Sequence, residues 1–170
     1  TKTLLTAQTY QLSSLASAGN AEDTQHFSHA RPKAMPAEVL LDGLSQVTGV
    51  AEKFNGWPEG YRSIQVWDNR MPSYFFRIFG RPVRASVCEC ERSNEPSITQ
   101  ALHLLNSPEI NEKLTHKQGF ARRLATSAKT TDEVLDELFL STLTRLPTSE
   151  ERALLREAFP TDGRDRRAAV

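Results

Sequence analysis

Two cysteines in 170 residues exclude a disulfide-stapled scaffold, so the chain must be held by a core. Excess charge is absent too: Lys plus Arg is 21, Asp plus Glu is 21, and the formal net charge is zero. No global basic field exists for a nucleic acid or an anionic membrane surface, and neither partner is expected. No apolar run reaches the roughly 18 residues that a spanning helix requires, so direct membrane insertion is not expected. The 8 glycines are dispersed through turns. No G-x-S-x-G, Walker or Rossmann pattern occurs, and no H-E-x-x-H or C-x-x-C-H spacing is present. No metal or other cofactor is expected.

What remains is a chain with 38% hydrophobic residues, enough for one core of ordinary size. The fold class read from it is mainly α, a compact helical array with a loop-rich, partly extended middle and at most two short strands. Residues 1–170 read as a single helical domain. Residues 1–92 are loop-rich, with one clear helix at 36–48, and 93–160 form the array. Met35-Pro36-Ala37-Glu38 opens that helix with Pro in its first turn and an acid where the macrodipole favours one. Gly49 ends it. The alternation in Ile64-Gln65-Val66-Trp67 suggests a short extended segment. Tyr74 to Phe79 suggests one or two helical turns. Asn94-Glu95-Pro96 leads into a helix ending near Asn106, and Ser107-Pro108 restarts one with Ser as N-cap. Thr130 with Glu133, and Thr148 with Glu151, have the spacing of capping boxes.

Four constellations could carry chemistry. Glu38 and Asp42 stand at i, i+4 on one helix face, candidates for paired catalytic carboxylates, with no second pair nearby in sequence. The structural alternative is an ion-pair network. Cys88-Glu89-Cys90 is the second. An extended chain points the two thiols to opposite faces, so a bridge needs a kink. Unbridged thiols are favoured over a strained, redox-labile disulfide. His103 is the nearest further zinc ligand in sequence, too few for a site. His26 and His29 lie in a polar loop and read as solvated.

The third constellation is five Arg (62, 70, 77, 81 and 84) interleaved with Trp67, Tyr74, Phe75, Phe76 and Phe79. Arg70, Tyr74, Arg77 and Arg81 could form a ligand surface through planar stacking. With zero net charge, internal pairing is favoured, and the acids Asp132, Glu133, Asp136 and Glu137 are available for it. The fourth is Arg92, at an extended-to-helical junction. It is expected to be buried and to form a structural ion pair with Glu38, or to meet Asp42 or nearby carbonyls.

Two stretches are familiar. Residues 34–42 resemble an R-x-x-P-A-E-x-x-x-D segment. Residues 88–106, from Cys88-Glu89-Cys90-Glu91-Arg92-Ser93-Asn94-Glu95-Pro96 to Gln100-Ala101-Leu102-His103-Leu104-Leu105-Asn106, resemble C-x-C-x-R-S-x-E-P…Q-A-L-x-L-L-N. The chain thus resembles the planctomycete-specific C-terminal domain of unknown function numbered fifteen fifty-three. The arginine before Pro-Ala-Glu departs from that pattern, since the stretch here reads Arg31-Pro32-Lys33-Ala34-Met35. The resemblance implies a module of a large exported protein, placed after another domain and often downstream of a cytochrome-c-like one. It implies an extracytoplasmic location and no established reaction. The missing initiator Met and the helix-like last residues are read as signs of a fragment.

The expected function is therefore a helical interaction or structural module, not an enzyme as an isolated chain. Its expected partners are other domains of the parent protein, or a protein or glycan. A hydrolase-like or polysaccharide-processing accessory built on Glu38 and Asp42 is one alternative. A redox accessory built on Cys88 and Cys90 is the other.

Overall fold

The computed structural model describes residues 1–30, 33–67, 71–82 and 96–159. The chain divides into a short unit, Thr1–Ala34, and a main unit, Met35–Val170. In the short unit, α1 (Lys2–Leu5) is one turn that buries nothing. The loop after it is organised by Asp23. Its carboxylate accepts from the backbone N–H groups of Gln25, His26 and Ser28 at 2.8–3.0 Å. Hydrogen bonding from Ser28, then from the amides of His26 and Gln25, holds that carboxyl well below its ordinary value.

The main unit is helical. Its elements are α2 (Ala37–Thr48), a 3₁₀ turn (Ser63–Gln65), α3 (Tyr74–Ile78), α4 (Ile98–Asn106), α5 (Pro108–Leu114), α6 (Phe120–Ala125), α7 (Thr131–Leu143) and α8 (Ser149–Arg156). No strand occurs among the described residues, so the fold is mainly α. Helix α2 starts one residue after its proline, with Pro36 as N-cap. It ends at Gly49 with φ 68°, a left-handed conformation in which a side chain is strained. A Cβ there would also lie 3.3 Å from Arg123 Nη1.

Two apolar clusters fill this unit. In the first, Ala37 and Leu41 of α2 meet Phe54, Val66 and the α3 rings of Phe75 and Phe76. In the second, Leu124 of α6 and Val134 and Leu135 of α7 meet Phe159. Helix α2 packs against the 3₁₀ turn, α3, α5 and α6, while α7 packs on α8 and α4 on α5. The C-terminal end of α2 touches the start of α6 closely. A Cβ on Gly119 would lie 3.3 Å from the Thr48 carbonyl and 3.1 Å from that of His116, so glycine permits the approach.

The capping boxes at Thr130 and Thr148 both form. Glu133 N–H donates to Thr130 Oγ1 at 3.3 Å, and Glu151 N–H to Thr148 Oγ1 at 3.2 Å. A third, Ser97 with Gln100, opens α4. The Gln100 side chain also donates to the Ile78 carbonyl at 3.0 Å, tying α4 to α3.

One local expectation is corrected and another is refined. Residues 64 and 65 are not extended: Ser63–Gln65 is a 3₁₀ turn, and Val66 after it has extended backbone angles. A tertiary acceptor, Asp42, takes the Ser63 N–H at 2.6 Å, and Gln65 Oε1 takes the Arg62 N–H at 2.9 Å. These bonds outweigh the propensity read from apolar alternation. Ser107 is the N-cap of α5 by position, but its side chain makes no cap hydrogen bond. Its N–H instead closes α4 on the His103 carbonyl at 2.9 Å.

Helices α7 and α8 are linked by charge. Arg152 bridges Asp132 at 3.2 Å and also Asp136, and Arg156 pairs with Asp132. Lys129 pairs with Glu137. The acids of α7 are therefore matched by α8 and by Lys129, a different arrangement from pairing with the arginines at 62–84. Arg145 grips Glu151 through two bonds of 2.7 and 2.8 Å. The Arg145 bonds, then the Thr148 amide, lower the Glu151 carboxyl from 4.5 to about 2. A depressed folded-state value means the stabilisation is complete above pH 4.5 and disappears as the pH falls toward 2. Carboxyl NMR titration should place the Glu151 midpoint near 2. Arg145→Ala should return it toward the ordinary carboxylate range; an unmoved midpoint would show that Arg145 is not the cause.

Candidate functional site

The two α2 carboxylates are the natural place to look for chemistry, because helical spacing sets both on one face. Glu38 projects from the first turn of α2 toward the loop after α3. There its Oε1 meets Arg81 Nε at 3.3 Å, with the two side chains 10% and 6% exposed. The same guanidinium donates to the Val66 carbonyl and lies 4.4 Å over the Phe76 ring. One arginine thereby joins α2, the segment after the 3₁₀ turn, and α3.

One turn further on, Asp42 does a different job. Oδ1 accepts the Ser63 N–H at 2.6 Å and Oδ2 the Ile64 N–H at 3.4 Å. Arg62 Nε lies 3.3 Å from Oδ2. A turn start has N–H groups without intrahelical partners, and Asp42 supplies acceptors from 21 residues away. Both carboxylates thus engage donors of their own chain, which suits a structural hub better than acid–base work. A general acid or base must reach a substrate proton, and these oxygens are directed at the fold.

A third buried charge extends the hub. Lys113 of α5 donates to the Val50 carbonyl at 2.9 Å, lies 3.4 Å from Ser45 Oγ and pairs with Glu52 at 3.2 Å. It pins the end of α2 and the loop beyond to the C-terminal helices. No local pattern signals this lysine's role, since its partners lie more than 60 residues away.

Of the surface proposed around α3, Tyr74 is 52% exposed and Arg77 stands 5.1 Å over its ring. Arg81 turns inward to Glu38, and Arg70 lies outside the described residues. Arg92, Cys88 and Cys90 also lie outside them, so the Arg92–Glu38 pair and the state of the thiols are not described. His103 sits edge-on to Tyr74, Phe75 and Phe79 at 5.5–6.1 Å, a packing role. Among the described residues, no group of three or more His, Cys, Asp or Glu is arranged to hold a metal. No helix of the described residues is long and apolar enough to cross a membrane.

The fold and the hub define a helical domain in which the conspicuous charges serve architecture. Residues 1–159 match the family PSD1, protein of unknown function (DUF1553), and the chain belongs to that family. No curated protein and no solved structure matches it.

Proposed function

We propose that this chain is a non-catalytic interaction module of a larger, exported multidomain protein. One observation carries the reading: Glu38 and Asp42, the strongest acid–base pair in the sequence, are engaged by Arg81 and by the Ser63 and Ile64 amides. The resemblance of residues 34–42 and 88–106 to a domain of large exported proteins supports the context and the extracytoplasmic location. The test is turnover by the 170-residue chain of a panel of glycans, esters and peptides. The expected result is no product above the blank. Product formation that Asp42→Asn abolishes, with the helical CD signal retained, would refute the proposal.

A further inference from the structure

The main unit has an open cleft of about 410 Å³ beside the hub, between residues 52–57 and 71–75. Its floor belongs to the core, through Phe54 and Phe75. Its rim does not. Trp57 is half-buried, and Tyr74 faces solvent. Trp67 lies edge-on to Trp57 at 5.8 Å and is 77% exposed. Large aromatic rings left at the surface beside a cleft cost solvation unless a ligand covers them, and they are typical of recognition surfaces.

The polar lining narrows the chemistry. Glu52 is matched by Lys113 and Lys53 lies 3.7 Å from Glu59, which leaves Glu109 as the lining charge without an ion-pair partner among the described residues. Asn55 and Glu109 line it and spend no side-chain hydrogen bond on the chain among the described residues. Asn55 both donates and accepts, and the Glu109 carboxylate only accepts. The unmatched Glu109 carboxylate repels an anion and seeks donors, so the cleft suits a ligand with flat apolar faces and hydroxyl donors. A proline-rich peptide offers the faces, but its prolines carry no N–H, so it presents fewer donors to Glu109 than a sugar does. A sugar ring offers both, with C–H groups for the aromatic rims and hydroxyls for Asn55 and Glu109.

We infer that this cleft is a binding site for a neutral oligosaccharide, with Trp57 and Tyr74 as stacking platforms and Asn55 and Glu109 as hydroxyl partners. Trp67 would extend the platform to a second ring. The inference rests on reading the chain as a binding module and names its ligand class. A fluorescence titration of the 170-residue chain with neutral hexasaccharides of β-1,4-linked glucose, xylose, mannose or N-acetylglucosamine tests it. We expect saturable binding of at least one. Tyr74→Ala and Asn55→Ala should each weaken it by about tenfold, the equivalent of one good contact. Both residues are exposed, so CD and the unfolding midpoint should be retained. No binding by any of these sugars at millimolar concentration would overturn the inference. So would binding that both folded variants leave unchanged, or binding only of a proline-rich peptide. Chromatography of the bound sugar separates the two proposals: cleavage would refute the non-catalytic reading and keep the site, whereas absence of binding would remove the site and leave that reading standing.

Discussion

Arg81→Ala should destabilise the chain by about 3–5 kcal/mol, the usual result of breaking a buried ion pair from one side. The loss has three parts. Glu38 loses a cationic partner in a site where its side chain is only 10% exposed. The Val66 carbonyl loses a charge-assisted donor, and the Phe76 face loses the guanidinium stacked on it. Urea unfolding should show a lower midpoint with an unchanged slope, since the same surface is exposed on unfolding. Replacing both partners, Glu38→Leu with Arg81→Met, should cost less than Arg81→Ala alone, because both sides of the contact are then replaced by apolar groups. If Arg81→Ala unfolds at the wild-type midpoint, the hub is not holding the fold.

Leu135→Ala is the second large effect. Leu135 is 1% exposed between Val134, Leu124 and Phe159, so truncation should cost about 2–5 kcal/mol through lost burial and a residual cavity. The more telling readout lies in the other cluster. Trp57 packs against the first core, whereas Leu135 belongs to the second. Contact of α2 with α5 and α6, the Lys113 bonds and the close approach at Gly119 join the two. Tryptophan fluorescence and far-UV CD should therefore fall together, at one lowered midpoint. A fluorescence midpoint that stays put while CD shifts would mean that the clusters unfold independently.

How far the sequence predicts this structure depends on the range of the interaction. Helix α2 and the starts of α7 and α8 are legible because their signals are local: Pro36 ahead of Glu38, a glycine at 49, and Thr-x-x-Glu at 130 and 148. The Ser97–Gln100 box has the same local logic, but the neighbouring Asn94-Glu95-Pro96 competes with it as a helix-start signal. The 3₁₀ turn at 63–65 was not legible, because the carboxylate that caps it comes from α2. Apolar alternation there reflects one buried residue, Val66, beside an exposed Ile64. In the candidate site, the face shared by Glu38 and Asp42 follows from helical spacing. Their partners do not. Five arginines between 62 and 84 are alike in one dimension, and only the fold brings Arg81 to Glu38 and Arg62 to Asp42. The cleft beside α3 is half visible in the sequence: Tyr74 stands in the Arg- and aromatic-rich stretch, but Asn55, Trp57 and Glu109 meet it only through packing.

The most direct test of the structural role of the α2 carboxylates is a double-mutant cycle on Glu38 and Arg81, read by urea unfolding of Glu38→Gln, Arg81→Met and the double variant. The account predicts that the double variant is more stable than the sum of the singles implies, with a coupling of about 1–3 kcal/mol, as for residues in one buried network. Additivity to within about 0.5 kcal/mol, the behaviour of distant and independent sites, would contradict it.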